Sequence, residues 1–135
     1  MALEGSLSLR VRNREDVLVA RQEAKRFAGR LPFAPEDLGR IEVAAAELAS
    51  NMVKHAGGGR MTLSLSHRPG QEGVQLVAED HGAGIPDLNQ ALSVGFSTKG
   101  TLGTGLPAVR EMMDRFEIVT RPGEGTRVEV EKWLR

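Results

Sequence analysis

The sequence predicts an α+β fold: a two-layer α/β sandwich whose mostly antiparallel mixed sheet carries three helices on one face. Three observations lead there. Short segments alternate apolar and polar residues and are joined in pairs by brief polar turns, as antiparallel strands with one buried face require. Other segments repeat apolar residues every three or four positions, the period of an amphipathic helix. The order along the chain is β-α-α-β-β-loop-α-β-β, with no internal repeat or linker in 135 residues. A single domain over 1–135 is therefore expected.

Each element has its own signal. Leu7-Ser8-Leu9-Arg10-Val11-Arg12 alternates and reads as a half-buried strand. Residues 13–30 read as a helix with Val17, Ala20, Ala24 and Phe27 inward, capped by Asn13 or Asp16. A second helix starts at Pro35, with Glu36 and Asp37 suited to its first turn. Leu38, Ile41, Ala45, Leu48 and Met52 mark its buried face, and Gly57 is a natural left-handed stop. Met61, Leu63 and Leu65 form the next strand; a polar turn over 69–73 leads to another with Val74, Leu76 and Ala78 inward. Residues 81–104 lack regular pattern, which in so small a domain points to function. Residues 106–116 read as a helix with Val109, Met112, Met113 and Phe116 inward. Residues 117–120 and 126–131 close the chain as a hairpin around Pro122-Gly123-Glu124-Gly125.

Composition removes several function classes. With 18 basic and 18 acidic residues the formal net charge is +0, without the basic surplus of a general nucleic-acid binder. No cysteine is present, so disulfides, thiol catalysis and thiolate metal sites are excluded. No apolar run approaches the ~20 residues of a membrane helix and no secretion leader is visible, so a cytoplasmic protein is expected. The 16 glycines are out of proportion to an aromatic content of 4%, and they cluster: Gly57 to Gly59, Gly82 and Gly84, Gly100 to Gly105, Gly123 and Gly125. Such clusters serve as turns and helix ends, or as places where a ligand approaches backbone.

The residues around the glycines carry chemistry. Glu47 and Asn51, one helical turn apart beside the buried stripe, offer a carboxylate that can take a hydroxyl proton and an amide oxygen suited to Mg²⁺. The same pair could simply border the sheet. Asp80 ends a strand before His81-Gly82-Ala83-Gly84; it could face a cleft and accept from an exocyclic amine, or close an Asx turn. Gly103-Thr104-Gly105-Leu106 precedes a helix with Pro107 in its first turn, a ready anion site or an ordinary cap. Neither the P-loop nor the dinucleotide fingerprint occurs.

In order and spacing, Glu47-x-x-x-Asn51, Asp80-x-Gly82-x-Gly84, Gly103-x-Gly105-Leu106 and Gly125-Thr126 resemble the N, G1, G2 and G3 boxes of the GHKL (Bergerat-fold) ATP-binding superfamily. The resemblance covers about residues 36 to 130. All three histidines lie inside the expected fold, so the chain looks like the small bacterial switch and anti-sigma serine/threonine kinases rather than a sensor histidine kinase. Ala46-Glu47-Leu48-Ala49, Asp80-His81-Gly82-Ala83-Gly84-Ile85-Pro86-Asp87 and Gly95-Phe96-Ser97-Thr98-Lys99 resemble the RsbT-type switch kinases in particular.

The resemblance implies ATP and Mg²⁺ as ligands, with Asn51 holding the metal and Glu47 acting as base. It implies that Asp80 binds the adenine amine over a floor shaped by Gly82, Gly84 and Ile85, and that Thr126 supports that end. Gly103, Thr104, Gly105 and Leu106 would give phosphate-binding backbone beside an ATP lid, Thr104 replacing the flexible Leu or Met common there. Lys54 and Lys99 would meet phosphate or remain solvated surface charges. The implied substrate is a STAS-domain antagonist protein, and a PP2C-type phosphatase or a sigma factor is the alternative partner. Two rival functions stay open: an anti-sigma module, and a nucleotide-binding regulator without kinase activity.

Overall fold

The computed structural model describes residues 5–85, 92 and 105–135. Along the chain run β1 (Ser6–Val11), α1 (Arg14–Ala28), α2 (Pro35–Ala56), β2 (Gly59–Arg68), β3 (Gln71–Asp80), α3 (Leu106–Met112), β4 (Arg115–Arg121) and β5 (Gly125–Trp133). The strands form one sheet in the order β1-β2-β3-β5-β4. The α+β class is the one expected, and all four pairings are antiparallel.

One sheet face is apolar because the register stacks like on like. Leu9 pairs with Met61 and Met61 with Ala78; Leu63 pairs with Leu76 and Leu76 with Val130. The helices cover this face, and α2 touches β1, β2, β3 and β5. Its Ile41, Ala44, Ala45, Leu48, Ala49 and Met52 are buried in the same core as Val11, Ala20, Phe27 and Val109. The small alanines let α2 lie close to the strands. Its ends are set locally: Pro35 occupies the first turn, and Gly57 closes the last with φ +73°. For α1, Asn13 is the cap, its side chain accepting from the Asp16 N–H at 3.0 Å.

Boundaries differ from expectation in two places. The turn expected over 69–73 shrinks to Pro69-Gly70, because Arg68 pairs with Gln71 and Gly70 takes φ +75° behind a proline. The helix expected over 106–116 stops at Met112. Met113 is extended, the Asp114 N–H donates to the Glu131 carbonyl, and Phe116 sits in β4 opposite Val130. The stop is fixed from the sheet: buried Lys132 donates to the Met112 carbonyl at 2.9 Å, with Asp37 and Asp114 oxygens each 3.6 Å from its ammonium. A lysine is tolerated there because a helix C-terminus and two carboxylates surround it.

The opposite sheet face is polar. Arg115 bridges Glu117 at 3.0 Å and Glu131 at 2.7 Å and also meets Glu129, while Ser66 donates to Glu131 at 2.8 Å. These carboxylates raise the guanidinium pKa, and the Arg115 hydrogen bond holds Glu129 below its ordinary range against the opposing effect of burial.

Two tests follow from this architecture. A carboxylate with a depressed folded pKa stabilises the protein at neutral pH, and that contribution fades as pH falls through the folded value. Glu129→Gln should therefore show a smaller drop in melting temperature between about pH 6 and pH 3 than the parent. In the β4–β5 hairpin, Gly125 has φ +96°, and a Cβ there would stand 2.0 Å from the Asp80 carbonyl oxygen. Gly125→Ala should lower the melting temperature by about 5–10 °C in calorimetry.

Candidate functional site

The last three turns of α2 form one wall of the site. Glu47 and Asn51 are half-buried on it, one turn apart, and Lys54 lies exposed in the final turn. Glu47 is not a passive border residue: its Oε2 accepts the Gly105 N–H at 2.8 Å. Gly105 has φ +92° and caps α3, so the carboxylate of one helix is tied to the N-cap of another. Leu106, the first residue of α3, is buried against the core. The Asn51 amide makes no hydrogen bond to a described residue.

At the other end, Asp80 closes β3 directly opposite Thr126 of β5. Asp80 Oδ1 accepts two backbone donors, Gly82 N–H at 3.0 Å and Thr126 N–H at 3.2 Å. The first is the Asx turn weighed from sequence; the second fastens the strand end to the hairpin. Both use the same oxygen, and Oδ2 makes no hydrogen bond to a described residue. The Asx turn and an outward-facing acceptor are thus compatible.

Close backbone approach explains the glycines here. A Cβ on Gly82 would lie 2.6 Å from the Ala56 Cβ, and one on Gly84, at φ +81°, would lie 2.4 Å from the Arg121 carbonyl oxygen. The loop after Asp80 is thereby pressed between the end of α2 and the hairpin. The Gly123 N–H donates to the Ala83 carbonyl at 2.8 Å, and the half-buried Ile85 donates its N–H to Thr120 Oγ1 at 2.8 Å.

The two ends share the α2 wall. Glu47 meets Gly105, and nine residues later Ala56 meets Gly82. At 1.5 Å per residue the interval is roughly 14 Å, the reach of an extended nucleoside triphosphate. Among the described residues no group of three His, Cys, Asp or Glu could hold a metal ion. A groove of about 480 Å³ at His67 and Leu134 lies at the opposite end of β3 from Asp80.

The structure thus brings Glu47, Asn51, Gly105 and Leu106 to one end, and Asp80, Gly82, Gly84, Ile85 and Thr126 to the other. Lys99, Gly103 and Thr104, with the expected lid, lie outside the described residues. Two contributors were missed. Thr120 belongs to no motif, although the hairpin register puts it opposite Thr126. Gly59, clustered in sequence with the helix stop at Gly57, begins β2, and a Cβ there would lie 3.2 Å from the Asp80 Cβ. Gly57 and Gly58 close the helix, the Gly58 N–H donating to the Met52 carbonyl at 2.9 Å.

Residues 11–132 match the histidine kinase-like ATPase domain family. The chain is 40% identical over 127 residues to the serine/threonine-protein kinase RsbT of Bacillus subtilis (strain 168), covering 94% of this chain and 96% of that protein. It is 30% identical over 122 residues to the anti-sigma F factor of Bacillus licheniformis, covering 85% and 82%. To the anti-sigma F factor of Thermoanaerobacter sp. (strain X514) it is 27% identical over 120 residues, covering 85% and 83%. The motif order, the two-layer fold and these likenesses agree, and the chain belongs to the histidine kinase-like (GHKL) ATPase family, in its branch of RsbT-type serine/threonine-protein kinases.

Proposed function

We propose that this protein is the cytoplasmic kinase of a bacterial partner-switching pathway. It would phosphorylate a serine or threonine of a STAS-domain antagonist and, once released, engage a PP2C-type phosphatase. The observation that carries this reading is the pair of carboxylates at the two ends of one helical wall, Glu47 at the Gly105 end and Asp80 at the Gly82 end.

In this reading Asp80 Oδ2 takes the exocyclic amine of adenine while Oδ1 stays on Gly82 and Thr126. Gly84 and Ile85 line the base, and Leu106 with the Gly105 backbone borders the phosphates. Asn51 supplies an oxygen to Mg²⁺, which when bound would neutralise phosphate charge and orient the terminal phosphoryl group. Glu47 Oε1 takes the proton of the attacking hydroxyl while Oε2 remains on Gly105. ATP and the hydroxyl give ADP and a phosphoester, with the proton leaving on Glu47. Lys54 and the lid's Lys99, Gly103 and Thr104 are assigned to the phosphate end by resemblance.

The anti-sigma F factors among the relatives favour a second reading, sequestration of a sigma factor. Affinity capture separates the two: a PP2C-type phosphatase retained by the tagged protein supports the first, a sigma factor the second. No helix among the described residues is long and apolar enough to cross a membrane.

Two substitutions test the site. Glu47→Gln keeps an oxygen for Gly105 and loses the base; label transfer from ATP to a STAS protein should fall by about 10²–10⁴, with ATP affinity near the parent value. Unchanged transfer would remove Glu47 from the chemistry. Asp80→Asn keeps an acceptor for Gly82 and Thr126 but puts an NH₂ where Oδ2 was. ATP affinity should drop by about tenfold or more in titration calorimetry.

A further inference from the structure

We infer that Thr120 is a specificity-determining positioning residue: it fixes the polarity of the base end of the site and so selects a 6-amino over a 6-oxo purine. The inference rests on the nucleotide-binding reading above and concerns a residue outside every motif.

Thr120 and Thr126 are a directly opposed pair in the β4–β5 hairpin. Three groups surround the Thr120 hydroxyl: the Ile85 N–H at 2.8 Å, the Gly125 carbonyl at 3.3 Å and Thr126 Oγ1 at 2.9 Å. A hydroxyl has one proton and two lone pairs. The amide N–H can only donate and the carbonyl can only accept. All three contacts are satisfied together in one arrangement alone, with the Thr120 proton on Gly125 and the Thr126 proton on Thr120. The reverse arrangement gives up the bond to the carbonyl of buried Gly125.

The Thr126 proton is therefore turned inward, and only lone pairs remain to face the site. Thr126 stands in register with Asp80, whose carboxylate accepts from the Gly82 and Thr126 N–H groups. The base end thus presents acceptors from both residues. A 6-amino group brings two N–H donors to them; a 6-oxo group brings an opposing acceptor. Thr120 touches neither group and acts through Thr126.

The test compares affinities for ATP and for ITP, which carries a 6-oxo group, in the full chain with Mg²⁺ by titration calorimetry. The parent should prefer ATP. Thr120→Val frees the Thr126 proton and should narrow the ATP-to-ITP ratio by about tenfold, the scale of one hydrogen bond; Thr120→Ser should restore it. Thermal unfolding checks that the valine variant folds. If it does not, Thr126→Val leaves the Ile85–Thr120 and Thr120–Gly125 bonds intact, removes the acceptor that Thr120 orients, and should narrow the ratio as well. Equal weakening of both nucleotides, or an unchanged ratio in the folded variants, overturns the inference and leaves the nucleotide site standing. A parent that binds neither nucleotide overturns both.

Discussion

One carboxylate oxygen organises one end of the candidate site. Asp80 Oδ1 holds the N–H groups of Gly82 and Thr126, and those two donors come from segments more than 40 residues apart in the chain. A strand end, the loop that follows and the returning hairpin are fastened at a single atom. The glycines around it follow from that closeness: Gly125 lies against the Asp80 carbonyl, and Gly82 against Ala56. Charge-assisted bonds to backbone N–H groups are among the stronger kinds. They hold the second carboxylate oxygen at a defined orientation without using it.

At the far end the same device appears with the polarity of the elements reversed. There a helix side chain, Glu47, holds the backbone of the next helix through Gly105. Each candidate functional carboxylate is thus half structural, with one oxygen committed to a glycine N–H. Functional groups fixed by part of themselves lose little further freedom on binding, and their geometry needs little rearrangement.

Much of this was legible in the residues. The alternation of Leu7, Leu9 and Val11, the apolar stripe of Ile41, Ala45, Leu48 and Met52, and the stops at Gly57 and Pro69-Gly70 are local signals. Local signals survive folding when the tertiary structure agrees with them. The end of α3 was not legible, because it is imposed by Lys132 and Asp114 through contacts distant in sequence, while Met113 and Phe116 keep a helical spacing. Thr120 was missed for a related reason. A threonine in a strand is ordinary, and its three hydrogen bonds exist only once β4, β5 and the loop ending at Ile85 have met. Gly59 looked like part of a helix end until the β2–β3 register put it beside Asp80.

The continuity of α2 has a consequence for turnover. Its contacts with Gly105 and Gly82 sit on one unbroken helix, so the spacing of the two ends of the site is set by a single element. Under the proposed chemistry ATP and ADP are identical at the Asp80 end and differ only near Glu47. The difference between the loaded and the spent kinase is then delivered to the start of α3. That short helix is pinned at its other end by Lys132 on the Met112 carbonyl. With Gly105 held by Glu47 at one end and Met112 by Lys132 at the other, α3 is fastened at both ends, and a change at Glu47 reaches it through one hydrogen bond.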